Sequence, residues 1–146
     1  MVDVGCEVLL DQRIDQRRRF PGLWWLETRR PRFRRGFRGY PIATIAFYGP
    51  DDKRASKVAV GIVNADGAEP AALERWFSEE GDVRIDAAVG SDILRFVRDH
   101  GVKSVVMTDR IIGCPHEEGI DYAEGQACPQ CPFWAHRERW TGDIVQ

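Results

Sequence analysis

The chain has 146 residues, of which 43% are hydrophobic and 30% charged. That size suits one compact domain with an appendage, and the composition excludes a collagen-like, low-complexity or wholly disordered chain. The net charge of −2 hides an imbalance: residues 1–40 carry ten Arg against five acidic residues, +5, and residues 41–146 carry eleven basic against eighteen acidic residues, −7. Phosphate neutralisation supplies most non-specific nucleic-acid affinity, so an acidic body favours a protein partner over nucleic acid. No apolar run reaches the roughly 18–20 residues of a membrane-spanning helix, and no membrane partner is expected. The stretch after Arg17-Arg18-Arg19-Phe20 is stopped by Glu27 and Arg29, too early for an export signal, and the expected location is the cytoplasm.

Residues 1–39 alternate Arg with Phe20, Trp24, Trp25, Phe33 and Phe37 and are broken by Pro21, Gly22, Pro31, Gly36 and Gly39. They read as a basic, disordered arm; the alternative is a nucleic-acid arm, with guanidinium groups on phosphates and rings stacked on bases. An α+β domain is expected over residues 40–110. Pro41–Tyr48 and Lys57–Val63 are β-branched and aromatic runs ending in turn clusters, which predicts two antiparallel strands, with Gly61 marking a bulge. Glu69-Pro70 opens a predicted helix whose apolar face is Ala72, Leu73, Trp76 and Phe77. Val83-Arg84-Ile85 reads as a short strand or link. Ser91 is the expected N-cap of a second helix, Asp92 to His100, stopped by Gly101. Val102–Met107 reads as a core strand. The order predicts a small mixed sheet with two packed helices.

Residues 111–146 carry the chemistry. Cys114 and His116 are one residue apart, so on extended backbone both side chains point to one side. Cys128 and Cys131 are two apart, which a tight turn directs to one point. Together they spell C-x-H-x₁₁-C-x₂-C, a Cys₃His set suited to tetrahedral Zn²⁺. Four protein donors close the coordination shell, so the expected role is structural, with the ion replacing a core that a Gly- and Pro-rich segment cannot build. His136 is the alternative fourth ligand, Cys6 an alternative thiolate, and an iron–sulfur cluster the alternative group. The competing reading without metal is a free thiol pair.

Cys128-Pro129-Gln130-Cys131 resembles the C-P-x-C knuckle of zinc-ribbon and rubredoxin-like proteins over about twenty residues. It departs from that pattern in pairing with Cys114-Pro115-His116, and in Pro132, which has no N–H to offer a thiolate. The resemblance implies a metal site, not the ribbon's fold. Ile111 to Trp140 also resembles a segment of short bacterial proteins of uncharacterised function, which implies no activity.

An enzyme is the less favoured reading. A zinc deaminase or hydrolase would use Glu117 or Glu118 beside a His/Cys/Cys site. Eleven residues between the ligand pairs are too few for the intervening strand and helix of deaminases, and Cys114 would occupy the place of the water. Past the site, Trp134 and Trp140 are expected to pack over the knuckle. The alternative is a nucleic-acid surface with Arg137 and Arg139 on phosphates. The favoured reading is a cytosolic zinc-binding module, with no catalytic residues and a protein partner.

Overall fold

A computed structural model describes residues 37–138 and 140–145. The arm to residue 36, with Cys6, and Arg139 lie outside the described residues. Four strands and one helix follow in chain order: β1 (Ile42–Tyr48), β2 (Lys57–Val63), β3 (Ala72–Phe77), α1 (Ala87–Asp99) and β4 (Ser104–Ile111). The sheet order is β3-β2-β1-β4. β1, β2 and β3 form an antiparallel meander. β4 returns through α1 to lie parallel to β1, so the sheet is mixed.

One face of the sheet is the core. Strand alternation sends Ala43, Ile45 and Phe47 of β1 and Val58, Val60 and Ile62 of β2 to the same side. There they pack with Val105 and Met107 of β4 and with Ile93, Leu94 and Val97 of α1. Each of these larger side chains stabilises the fold by about 1.5–3 kcal/mol on full burial. The opposite face carries Thr44, Ala46, Tyr48, Lys57, Ala59, Gly61, Leu73, Arg75 and Phe77, and no helix covers it among the described residues. Thr44 is exposed on it, and so are Leu73 and Phe77, at 47% and 62%.

Among the described residues there is one helix, not the two packed helices expected. The segment after Glu69-Pro70 is the edge strand β3, paired with β2 from Lys57↔Phe77 to Ile62↔Ala72. Its six residues fit either period, and a helix confined between Pro70 and Gly81 is too short to persist on propensity. The open edge of β2 offers a ladder instead, and Trp76 reaches α1 from the strand, its ring 5.8 Å from that of Phe96. Val83–Ile85 is a turn, not a strand. The Asp82 carboxylate accepts from the Arg84 main chain and guanidinium and from Ala55 N–H.

α1 starts five residues before the predicted Asp92. Asp86 is its N-cap, accepting from Ala88 and Val89 N–H at 2.9 and 3.1 Å. Gly90, a poor helix residue, sits buried in the first turn and hides this start from a propensity reading. The helix ends as expected, with Gly101 at φ +62°. β2 runs without interruption through Gly61; the irregularity lies instead between Ile45 and Phe47 where β1 meets β4. There the Thr108 hydroxyl accepts the Phe47 N–H at 3.3 Å, replacing a main-chain bond that the bulge removes.

Candidate metal centre

The segment after β4 is fastened to the end of the sheet before it reaches its first cysteine. Ile112 N–H donates to Phe47 C=O at 3.0 Å, and Gly49 N–H to Gly113 C=O at 2.9 Å. Cys114 therefore emerges beside the carboxyl ends of β1 and β4. Residues 117–125 close into a loop held by their own side chains. The Asp121 carboxylate accepts Glu117 N–H at 2.7 Å, and the Glu118 carboxylate accepts Gly125 N–H at 2.5 Å. A tight turn then bonds Cys131 N–H to Cys128 C=O at 3.3 Å. A single 3-10 turn, Pro132–Trp134, follows. It aims the Trp134 indole N–H at Gly49 C=O, 2.8 Å away, and lays the ring against the core.

These constraints bring Cys114, His116, Cys128 and Cys131 together, with one donor atom of each within 4.8 Å of all the others. Cys128 and Cys131 are buried and Cys114 and His116 half-buried. His116 Nδ1 stands 3.5 Å from Cys128 Sγ and 3.4 Å from Cys131 Sγ. Bond lengths of about 2.3 Å to sulfur and about 2.05 Å to nitrogen at a tetrahedral angle require N···S edges of about 3.5 Å and S···S edges of about 3.8 Å. The two N···S edges already have that length. No two donor atoms lie farther apart than 4.8 Å, so the set needs to close by at most about 1 Å to meet it. The donor set therefore fits a four-coordinate ion held through Nδ1 of His116.

The electrostatics agree. Burial, together with the neighbouring Cys114 and Cys128, pushes the Cys131 thiol up to about 12. Burial raises Cys114 too, against an opposing hydrogen bond from the His116 main chain. Crowded sulfurs resist carrying negative charge together unless a cation compensates them. The described cysteines form no disulfide.

His136, the alternative ligand, is not part of the cluster. It lies in a later turn with φ +61°, its carbonyl accepting Val145 N–H at 2.7 Å. Trp134 packs against the sheet core, and Trp140 does not pack over the knuckle; it stands 65% exposed on the C-terminal turn. Asp51, in the turn after β1, accepts Lys53 and Arg54 N–H and so closes its own turn. Asp109 and Arg110 are paired at 3.5 Å.

Two residues that sequence reasoning missed fix the site to the sheet. Lys57, at the start of β2 and 4% exposed, donates to Pro115 C=O at 3.0 Å and to Glu117 Oε1 at 2.8 Å. Arg75 of β3 meets the same carboxylate, Nε to Oε1 at 2.6 Å. The Lys57 hydrogen bond lowers the Glu117 carboxyl from its ordinary value, burial opposes, and Arg75 adds to the lowering. Glu117 is thus a docking residue, and Glu118 a loop closure; neither faces the cluster as an unengaged base. A polar residue opening an otherwise apolar strand was the one available signal for Lys57.

No protein family, curated protein or solved structure matches the chain. A zinc-ribbon or bacterial family membership is therefore not established, and the site is defined by its own geometry: a Cys₃His cluster able to hold a metal ion at one end of a mixed four-stranded sheet. Among the described residues no helix is long and apolar enough to cross a membrane.

Proposed function

We propose that the chain is a zinc protein whose Cys₃His centre is structural, and that it works as a binding or adaptor module for a protein partner in the reducing environment of the cytoplasm. The observation that carries the reading is the convergence of four protein donors. A catalytic zinc site keeps a position open for water or substrate, whereas here a sulfur or nitrogen is available for each of four positions. Zn²⁺ is favoured over an iron–sulfur cluster because the spacing between donors matches one ion with four single bonds. When bound, the ion supplies a cross-link between Cys114-Pro115-His116 and Cys128–Cys131. The sheet does not need it for its own core; the segment from 113 to 131, with its two buried cysteines, does. The acidic body, −7 over residues 41–146, supports protein over nucleic acid as the partner.

X-ray absorption on the purified chain tests the structural role directly. The expected shell is three sulfurs at about 2.3 Å and one nitrogen at about 2.05 Å, with no oxygen. A shell containing water oxygen in place of a sulfur would refute a closed centre.

A further inference from the structure

The metal segment and the uncovered sheet face enclose a cavity of about 500 Å³, within the size range of small-ligand sites. Part of its floor is Ala59 of β2, whose short side chain leaves the space open. Its charged lining is Lys57, Arg75 and Arg137 against Glu117 and Glu118, a balance of +1. That positive balance sits in a stretch of chain that sums to −7. Within the lining, Lys57 and Arg75 share the single carboxylate of Glu117, and the Glu118 carboxylate is turned to Gly125 N–H. Two cations on one carboxylate leave one positive charge to be met, and Arg75, 37% exposed, can be approached from the cavity. Arg75 Nε and Nη2 already face Glu117 Oε1 and Oε2, at 2.6 and 3.3 Å, so an incoming carboxylate or phosphate meets the remaining Nη1 end of the guanidinium. The rings of Tyr48, Tyr122 and Trp134 supply flat apolar wall. A three-thiolate centre holding a divalent ion carries −1 and lies on the Cys114 and Cys128 side of the cavity, so the loaded cavity is neutral overall and its positive end, the place for an incoming anion, is at Arg75 and not at the metal.

We propose that this cavity binds a small organic anion: a carboxylate or phosphate carried on a flat apolar body. The inference goes beyond the structural role of the centre and rests on it only for the wall that the metal segment forms.

Calorimetric titration of the zinc-loaded full chain tests it. AMP and naphthoate are the probes for a phosphate and a carboxylate source, with adenosine and inorganic phosphate beside them. At least one anionic ring compound is expected to bind, and adenosine and inorganic phosphate at least about ten-fold more weakly, a difference of about 1.4 kcal/mol. Ala59→Leu fills the floor without touching a charge. Arg75→Ala removes the guanidinium. Each is expected to weaken binding by at least about ten-fold, Ala59→Leu with zinc content unchanged. No binding of either probe at millimolar concentration overturns the proposal, as does binding indifferent to both substitutions, or adenosine binding as tightly as AMP. A wild-type chain that binds the probe but carries no zinc supports the cavity and overturns the metal centre alone.

Discussion

Lys57 and Glu117 stand 60 residues apart in the chain and 2.8 Å apart in space. The two ends of that contact are unequal. The Lys57 side chain is 5% exposed and lies near the Tyr48 and Phe77 rings, whereas that of Glu117 is 30% exposed. Removing the carboxylate leaves a buried ammonium without its counter-charge, which costs about 3 kcal/mol or more. Replacing the lysine by methionine keeps the stem packed and leaves Glu117 with Arg75. Glu117→Gln is therefore expected to lower stability in urea more than Lys57→Met does; the reverse order would show that the clamp does not depend on charge. Asp82 makes a second prediction at this scale. Burial raises its carboxyl, but hydrogen bonds from the Arg84 side chain and main chain outweigh that and hold it below the ordinary value. A folded pKa below the unfolded one gives stability that is present above the unfolded value near 3.9 and lost as pH falls through the folded one. Acid unfolding of Asp82→Asn is expected to show a shallower loss of stability below about pH 4 than the parent. The Lys57–Glu117 pair was not legible beforehand, because a long-range ion pair leaves no periodicity in a sequence.

At the scale of elements, Gly49 is the joint. It follows β1, donates to Gly113 C=O and accepts the Trp134 indole N–H. A Cβ added there would lie 2.0 Å from Arg54 C=O, a main-chain atom with little freedom to move. Gly49→Ala is expected to destabilise the protein by about 3 kcal/mol and to loosen the metal segment, seen as faster zinc loss to a chelator. The helix makes a milder case: Asp86→Ala removes the N-cap and is expected to cost about 1 kcal/mol in thermal unfolding, with zinc retained. These elements also show what a sequence discloses. β2 carries its bounds in a β-branched run closed by Asn64-Ala65-Asp66-Gly67. The helix end is legible in Gly101, which adopts the left-handed conformation that glycine tolerates. β3 was legible only as an apolar segment; whether it coils or pairs depends on the edge of β2, a tertiary fact that overrides local spacing. The helix start was hidden because a buried Gly90 stands where a better helix former would have announced it.

The whole molecule divides its stabilisation between two devices. The face between sheet and α1 is an apolar core of ordinary kind. The segment beyond β4 has few buried apolar residues and is held by its contacts at Gly49, Lys57 and Arg75 and by the donor cluster. The cluster was legible because its ligands are close in sequence and their chemistry is rare; only the orientation of the segment on the sheet had to come from the structure. Metal removal is accordingly expected to release residues 113–131 while the sheet persists, which amide hydrogen exchange would report as protection lost there and kept in β1 and β2. The most direct measurement is zinc content per chain, for the parent and for four single substitutions, Cys114→Ala, His116→Ala, Cys128→Ala and Cys131→Ala, with His136→Ala as control. One zinc per chain in the parent and in the control, and loss or marked weakening of zinc in each of the four, is the result the account predicts. A parent without metal, or zinc kept in His116→Ala and lost in His136→Ala, would contradict it.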